Sequence, residues 1–584
     1  MKISNKQKVA LTVQRVFQIL AQHPQGLSSN DLWDELTNSL HPPAGKGHGN
    51  GNGHRILSSF ENFTFSCVGP IKAGWLSADR NHWTLTEEGK KAFANYAEAQ
   101  QLVDEAGKLS SQGWLAVHFP ATYAAAGKTK DQLTSELRTM RRVGVSRLLK
   151  ESFGKQTKWQ EQLPVQAPRN IVVSDVPAGV SLIEYVRSME PSYQEGSHAV
   201  YLSPESLRGT AFQSLVENYP PDAGLKLVKK PGGLDESGYI LGRAKGDSKI
   251  QLGMVHGHRH LSLVANFLYA MGIGPRLYDL VNLQCGEQLW TAYVIQDVGN
   301  NPPSIWQCKA GVDRLRELHE QGVIKVILPE GFDDPEFECP ACGNNALIDS
   351  TGQFRYIDFQ NFLLGDYESF LARLATDAGE QTHFGDTALL RGGRYLYQSV
   401  PGVSLPAKRD VANRMKTLVR LFKEANVTVA DRVVLDVGCN IGMMMAQYLK
   451  LGAKWCHGWD RATTTPHTER MLLALGCTRF STTPGDIART QPMITDVPAH
   501  VARSLDGCAI SYLAIRGHVN WLDALRAIPW SFMIYEGHEG ETYKDFELYL
   551  TELRALANFE LGPVATYVDG DSEERTVAIL LRKS

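Results

Sequence analysis

The sequence has no apolar run long enough to cross a bilayer, and its first residues, MKISNKQKVALTVQRVF, lack the continuous apolar segment of a secretory signal peptide. Cysteine is scarce, with nine in 584 residues, and the nine are scattered rather than arranged as a disulfide framework. The net charge is −3, so no overall basic field favours nucleic acid. These absences predict a cytoplasmic protein without a membrane span, and they leave peripheral membrane contact open.

The composition is that of a globular chain, with 43% hydrophobic and 21% charged residues. At 584 residues it is long enough for three or four domains. Strand-like and helix-like segments are interspersed along most of it, which predicts a multi-domain α/β fold class.

The clearest pattern is VVLDVGCNIGMMMAQYLKLGAKWCHGWD, from Val433 to Asp460, which predicts a strand, a tight turn, a helix and a second strand. Asp436 ends the first strand, and Gly438 and Gly442 lie in the turn. Glycine there lets the backbone approach a ligand and adopt positive φ. Asp460 closes the second strand, where an acid can accept hydrogen bonds from a ribose diol.

The D-x-G-x-x-x-G spacing differs from the dinucleotide pattern and resembles motif I of class I S-adenosylmethionine-dependent methyltransferases. The resemblance covers roughly Leu389 to Ser584 and implies a Rossmann-like doubly wound sheet with S-adenosylmethionine as cofactor. It implies that Asp436, Gly438 and Gly442 hold the amino-acid end of the cofactor and that Asp460 holds its ribose. The alternative is a doubly wound domain that binds no cofactor and has a tight turn.

Further site residues follow from the same resemblance. Asp486 falls where this fold places an acid beside the adenine ring. His518, Glu536 and His538 follow or end predicted strands, and catalytic groups in open α/β sheets gather at these ends. Each histidine is equally open to a structural role, and His538 is favoured over His518 because Glu536 is close enough to orient it. A closing antiparallel hairpin is predicted between Thr566 and Leu581.

The central region, about Gly196 to Ala375, alternates strands and helices in an order that resembles the protein-kinase-like phosphotransferase fold. Asn345 and Asp358 stand where that family places magnesium ligands, so the resemblance implies ATP and Mg²⁺ as cofactors. Two oxygen ligands at the ends of adjacent short strands can coordinate a metal ion that also binds phosphate groups.

This region also departs from the kinase pattern. Pro340 occupies the position of the catalytic base, and the helix from His258 lacks the glutamate that should pair with a strand lysine. The lysine itself is ambiguous among Lys229, Lys230 and Lys245. Two alternatives stay open: an active, divergent phosphotransferase, or a degenerate nucleotide-binding or scaffolding domain.

The amino-terminal region combines helical segments with a two-stranded segment from Gly74 to Leu85, followed by a helix capped at Thr86, and it resembles a winged-helix domain. Its candidate recognition segment, SSFENFTFSCVGPIKAG, has one lysine, Lys72, against one glutamate, which favours protein docking or dimerisation over DNA binding. A histidine-containing loop with His41, His48 and His54 is interpreted as a surface loop rather than a metal site.

We therefore predict four segments: residues 1–98 as a winged-helix-like domain, 99–195 as a connecting region of unknown role, 196–375 as a kinase-like α+β domain, and 385–584 as a class I methyltransferase domain. The predicted function is methyl transfer from S-adenosylmethionine, combined with phosphoryl transfer to the same substrate. Fusions of these two kinds of domain resemble enzymes that cap bacterial surface polysaccharides, which favours a glycan or small-molecule acceptor. The alternative is methylation of RNA or protein, with the other domains as docking modules, and a DNA-directed methylation system is a third possibility.

Overall fold

The computed structural model describes the following parts of the chain, together with isolated residues between them: 4–40, 66–79, 82–118, 163–173, 199–228, 244–245, 249–250, 258–285, 288–299, 303–320, 324–326, 346–357, 362–364, 367–382, 396–485, 494–515, 527–537, 558–570 and 572–583. The helices in these ranges are α1 (Asn5–Gln22), α2 (Ser29–Leu40), α3 (Val68–Lys72), α4 (Glu87–Asn95), α5 (Ala99–His118), α6 (Pro204–Leu207), α7 (Gln213–Val216), α8 (His258–Ala270), α9 (Ile305–Glu320), α10 (Tyr367–Thr382), α11 (Val411–Glu424), α12 (Met443–Lys450), α13 (Thr465–Ala474) and α14 (Ala499–Ala502). None of them is long and apolar enough to cross a membrane.

The strands fall into several sheets. They are β1 (Leu27–Ser28), β2 (Leu76–Asp79), β3 (His82–Leu85), β4 (Arg169–Val172), β5 (Ala199–Leu202), β6 (Ala223–Val228), β7 (Ala244–Lys245), β8 (Lys249–Ile250), β9 (Leu277–Cys285), β10 (Gln288–Gln296), β11 (Ile324–Val326), β12 (Ala346–Ile348), β13 (Phe354–Tyr356), β14 (Phe362–Leu364), β15 (Leu396–Gln398), β16 (Ala407–Arg409), β17 (Val433–Val437), β18 (Trp455–Asp460), β19 (Phe480–Pro484), β20 (Cys508–Leu513), β21 (Trp530–Glu536), β22 (Phe559–Val568) and β23 (Glu574–Arg582).

The carboxy-terminal part contains a seven-stranded sheet in the order β19-β18-β17-β20-β21-β23-β22. The pairs from β19 to β21 are parallel. Every residue of β17, β18 and β20 is buried, as expected for parallel strands covered on both faces. The predicted antiparallel closing pair is confirmed, because β22 pairs with β23. Strand order reverses at β17, and ligands of such sheets bind outside the carboxyl ends of the strands at this point.

The central part contains a five-stranded sheet in the order β4-β9-β10-β6-β5. Its pairs are antiparallel except for β4, which runs parallel to β9. β4 lies within the predicted connecting region 99–195, so that region supplies an edge strand to the central sheet. α8 packs on β9, and the short pairs β12–β13 and β11–β14 follow α9. The kinase-like assignment of 196–375 stays a prediction.

The amino-terminal part has a three-stranded sheet in the order β1-β3-β2, with α1 and α2 packed against it. The capped helix is confirmed, since the Gly89 amide donates to Thr86 Oγ1 at 3.0 Å. The winged-helix assignment stays a prediction. This part contacts the central part, because α5 packs on α9 and the Ser77 hydroxyl donates to Asn301 Oδ1 at 3.2 Å. The carbonyl oxygen of Asn301 accepts in turn from the Ile348 amide of β12 at 2.8 Å.

The central sheet and the carboxy-terminal sheet share one apolar core, which contains side chains of α8, α10, α12 and α13. Two buried side chains of the central part also bond to backbone carbonyls at and just after the end of α13. The Tyr367 hydroxyl donates to the carbonyl of Ala474 at 2.9 Å, and Asn266 Nδ2 donates to the carbonyl of Cys477 at 2.7 Å. The carbonyl of Ala474, the last residue of α13, has no partner within the helix, so the Tyr367 hydroxyl satisfies a group that would otherwise be buried without one.

Replacing Tyr367 with phenylalanine keeps the ring and removes only the hydroxyl. We expect Tyr367→Phe to lower the free energy of unfolding by about 1–3 kcal/mol, because the carbonyl of Ala474 is left buried without its donor. Urea unfolding followed by circular dichroism measures this loss. Tyr96→Phe, in the amino-terminal part, is the matched control and should leave the transition unchanged. Equal stability of Tyr367→Phe and the wild type would contradict the prediction.

Candidate functional site

The chain turns sharply between β17 and α12, and two glycines make this turn possible. Gly438 and Gly442 have positive φ angles of 71° and 82°. A Cβ on Gly438 would lie 2.5 Å from Ile515 Cγ2, and a Cβ on Gly442 would lie 2.9 Å from Thr468 Cγ2. Both positions therefore require glycine for backbone conformation and for space.

Asp436 lies one residue before the end of β17 and is 3% exposed. Its Oδ2 atom has no hydrogen-bond partner, while the Ser511 hydroxyl bonds to the carboxyl group. Burial raises the pKa of Asp436 to about 7, with a further contribution from Asp460, against the opposing effects of Ser511 and Arg414. Buried polar atoms without a partner are rare in proteins. An ammonium group placed against this carboxylate would supply the donor and favour the ionised form.

Asp460 is the last residue of β18, the strand beside β17. Its Oδ2 accepts from the Asn440 amide at 2.7 Å, and its Oδ1 accepts from the Arg461 amide at 2.8 Å. Burial raises the pKa of Asp460, and these two amides oppose the shift. Asp436 pairs in register with Gly458, so both acids lie at the carboxyl edge of the sheet. Each carboxylate oxygen can accept a second bond, so the fixed carboxylate of Asp460 can still bind a diol.

Glu536, a candidate catalytic residue, ends β21 and is fully buried. Its Oε1 accepts from Arg414 Nη2 at 2.9 Å, and its Oε2 accepts from the Tyr567 hydroxyl at 2.8 Å. Both oxygens are thus engaged within the protein. The structure places Glu536 in a charge cluster at the end of the strand, and a catalytic role stays a prediction.

The remaining predicted site residues lie outside the described residues. They are His518, His538 and Asp486 for methyl transfer and Asn345 and Asp358 for magnesium. The loop with His41, His48 and His54, interpreted above as a surface loop, also lies outside the described residues. Among the described residues, no group of three or more histidine, cysteine or acidic side chains is arranged to hold a metal ion.

The structure contains a buried cluster of charged residues around Glu536 that the sequence did not predict. Arg409 Nη1 donates to Asp569 Oδ2 at 2.9 Å, and Arg414 lies 3.9 Å from the same oxygen. Arg409 and Asp569 are 160 positions apart in the chain, and Arg414 and Glu536 are 122 positions apart. No local spacing indicates such pairs, because each member looks like an ordinary surface charge until the fold is known.

Lys226, on β6, is a second residue that the sequence did not single out. Only 6% of it is exposed, and its Nζ donates to the carbonyl of Ile357 at 2.7 Å and lies 5.6 Å from the ring centre of Tyr293. The sequence does give a weak indication of Lys226, because it is the charged residue within the otherwise apolar strand AGLKLV. The ambiguous lysines named above follow it in the sequence.

Solved structures that are similar to this chain include S-adenosylmethionine-dependent methyltransferases. The magnesium protoporphyrin IX methyltransferase of Synechocystis PCC 6803 with bound SAM is 12% identical, with a TM-score of 0.22, over 29% of this chain and 77% of that chain. The methyltransferase domain of bacterial-CtHen1-C is 13% identical, with a TM-score of 0.23, over 30% of this chain and 100% of that chain.

A candidate hemolysin from Streptococcus thermophilus is 14% identical, with a TM-score of 0.23, over 30% of this chain and 66% of that chain. No protein-family model and no curated protein matches the chain. Identities and TM-scores this low do not indicate what the chain acts on, so the case for a function comes from its own residues.

The raised pKa of Asp436 predicts a pH-dependent stability. Because the folded pKa, about 7, lies above the unfolded value of 3.8, the folded state binds more protons between these values. Stability should therefore fall as pH rises through this window, by up to about 4 kcal/mol. Asp436→Asn should lose this dependence and be more stable than the wild type at about pH 8, but not at about pH 4.

Urea unfolding of the ligand-free protein across this pH range measures the effect. Asp431→Asn is the matched control, since Asp431 is exposed and lies before the other end of β17. It should follow the wild-type profile. A profile of Asp436→Asn parallel to the wild type would show that Asp436 is ionised throughout the range.

Proposed function

We propose that residues 385–584 form an S-adenosylmethionine-dependent methyltransferase. The observation that carries this proposal is that Asp436 and Asp460 lie at the carboxyl ends of two adjacent parallel strands, beside the turn that contains Gly438. One acid has an unpartnered buried oxygen suited to an ammonium group, and the other is held by two amides in a position suited to a ribose diol. S-adenosylmethionine carries both of these groups.

The cofactor, when bound, supplies a methyl group on a sulfonium sulfur. The chain's task is then alignment, because in-line displacement depends mainly on the relative placement of acceptor, methyl and leaving group. In this proposal Asp436 binds the ammonium group, Asp460 binds the ribose, and Gly438 and Gly442 let the backbone approach. Asp486 is the proposed contact on the adenine side.

The acceptor we propose is a small molecule or a glycan. His538 and His518 are the proposed bases for an acceptor that must lose a proton, since a histidine near its ordinary pKa suits that task. Glu536 has both oxygens engaged by Arg414 and Tyr567, so we assign it a positioning role at the end of β21. An RNA or protein acceptor, with the rest of the chain as a docking platform, is the alternative.

Gly438→Ala tests the cofactor site. The new Cβ would collide with Ile515 and strain a backbone at positive φ, displacing the turn from the ligand. We expect the affinity for S-adenosylmethionine and for its demethylated product to fall more than about tenfold, which corresponds to about 1.4 kcal/mol. Isothermal titration calorimetry of the full chain measures it.

Gly452→Ala is the matched control, because Gly452 also has positive φ, 91°, but its Cβ would lie 3.5 Å from Ala430, near the start of β17. It should carry the same backbone strain and keep cofactor affinity. A wild-type chain that binds neither compound, or equal losses in both variants, would refute the proposal.

A second candidate function is phosphoryl transfer by the central part, and Lys226 is the observation that favours it. Lys226 Nζ bonds to the carbonyl of Ile357, and Asp358 follows directly in the sequence. In the sequence, Asn345 directly precedes β12, which pairs with β13. In this proposal Lys226 binds the phosphates of ATP, and Asn345 and Asp358 bind Mg²⁺.

Lys226→Met tests this assignment, because methionine fills the buried position without the charge. We expect the affinity for ATP with Mg²⁺ to fall by about tenfold or more, since an ammonium group that pairs with phosphate is lost. Lys90→Met, exposed on α4, is the control and should bind ATP as the wild type does.

Phosphoryl transfer that disappears in Lys226→Met would support the two-step enzyme. Nucleotide binding without transfer would favour the scaffold alternative. A wild-type chain that does not bind ATP would remove the phosphotransferase assignment.

A further inference from the structure

Ser511 lies beside Asp436 in the carboxy-terminal sheet. The two residues are register partners on the adjacent parallel strands β20 and β17. Side chains of register partners point to the same face of a sheet, and the Ser511 hydroxyl bonds to the carboxyl group of Asp436. Ser511 is 0% and Asp436 is 3% exposed, so bulk water does not compete for this bond.

Tyr448 adds a second hydroxyl behind the first. It lies on α12, is fully buried, and its hydroxyl oxygen is 3.0 Å from Ser511 Oγ. Burial raises the pKa of Tyr448, and the charge of Asp436 adds to this effect, so the phenol keeps its proton near neutral pH. Tyr448 can therefore donate a hydrogen bond to Ser511.

The direction of the two hydrogen bonds follows from the number of protons available. Ser511 has one hydroxyl proton, and an ionised carboxylate can only accept, so this proton goes to Asp436 when the acid is ionised. The proton of Tyr448 then goes to Ser511 Oγ. The two hydroxyls form a hydroxyl relay in which both donors point toward Asp436. Hydrogen bonds in such a chain polarise one another, and a charged acceptor strengthens the last one.

The hydroxyl relay leaves one oxygen of Asp436 for a ligand. The Oδ2 atom makes no hydrogen bond, although buried polar atoms nearly always have one. A hydroxyl donor stabilises the ionised form of a carboxyl group, and an ammonium ligand requires this form. The bond to Ser511 also restrains the rotation of the carboxyl group, because turning the group would break it.

We propose that Tyr448 and Ser511 are positioning residues that orient the carboxylate of Asp436 to accept from the ammonium group of S-adenosylmethionine. The inference rests on the proposed function and extends it by two residues that act on the cofactor only through Asp436.

Other titratable groups in the described part of the chain also act on Asp436 or are acted on by it. Asp460 of β18 raises the pKa of Asp436, and Arg414 of α11 lowers it. Cys439 of the turn and Cys456 of β18 are thiols whose pKa burial raises well above the ordinary value, so they are neutral. None of these groups changes in the variants below, so a change in the pH profile reports on the two hydroxyls.

Removal of each hydroxyl tests the relay in the ligand-free protein. We expect Ser511→Ala to raise the pKa of Asp436, because a donor to its charged form is lost. The fall in stability with rising pH, which should end at about pH 7 in the wild type, should then extend upward by about one pH unit in urea unfolding. Tyr448→Phe should give a smaller extension. The double variant should match Ser511→Ala, because Tyr448 acts through Ser511.

Two variants that remove hydroxyls elsewhere are the controls. Tyr367→Phe loses its bond to the carbonyl of Ala474, and Ser531→Ala loses its bond to the carbonyl of Gly507, near the amino end of β21. Each should shift stability by the same amount at every pH and so keep the wild-type pH profile. The same behaviour in Tyr448→Phe and Ser511→Ala would show a purely structural role and would overturn the inference.

Calorimetric titration of the full chain between about pH 6 and about pH 8 connects the relay to the cofactor. At about pH 7 we expect the affinity for S-adenosylmethionine to be roughly tenfold weaker in Ser511→Ala, because less of Asp436 is ionised, and the difference should shrink toward about pH 8. Methylthioadenosine has the nucleoside and the sulfur but no ammonium group, so its affinity should be equal in the wild type and both variants.

The outcomes distinguish this inference from the proposed function. A wild type that binds S-adenosylmethionine with a pH profile that neither variant shifts would overturn the inference and leave the methyltransferase proposal standing. Equal losses for S-adenosylmethionine and methylthioadenosine would also overturn it, because they would show general damage to the crevice. A wild type that binds neither compound would refute the proposed function, and the role of the relay toward a cofactor with it.

Discussion

The structure depends on hydrogen bonds that the central part donates to carbonyls between the end of α13 and the start of β19. Tyr367 bonds to Ala474, Asn266 bonds to Cys477, and Arg276 Nη2 donates to the carbonyl of Phe480 at 3.2 Å. Without these donors, burial of the carbonyls of Ala474 and Cys477 would cost free energy. Because one apolar core runs through the same junction, the two sheets are packed together rather than forming separate domains joined by a linker.

The candidate cofactor crevice and the charge cluster of Glu536 lie at the same edge of the carboxy-terminal sheet, where its parallel strands end. Arg414 connects them, since it pairs with Glu536 and also acts on the pKa of Asp436. Breaking a buried ion pair by removing one partner leaves an uncompensated charge, so this cluster constrains which residues can change near the crevice. The strand ends are thereby fixed, and a site on fixed strand ends needs little rearrangement to bind its ligand.

The features that could be predicted from the sequence are those that depend on a few neighbouring residues. The turn with Gly438 and Gly442, the acid Asp460 and the closing hairpin follow from patterns of a few residues, and the structure describes each of them. The bond of Lys226 to Ile357 and the ion pair of Arg414 with Glu536 could not be found this way, because the partners lie more than a hundred positions apart in the chain. Contacts between residues so far apart in the chain depend on how the sheets and helices pack, and the hydrophobic periodicity of the sequence does not predict them.

Asn301 connects two parts of the molecule through a single residue. Its side chain accepts from Ser77 of the amino-terminal hairpin, and its carbonyl accepts from Ile348 of β12. A shift of the amino-terminal hairpin relative to the central part would therefore stretch the bond from Ser77 to Asn301, and Asn301 also carries a bond to β12.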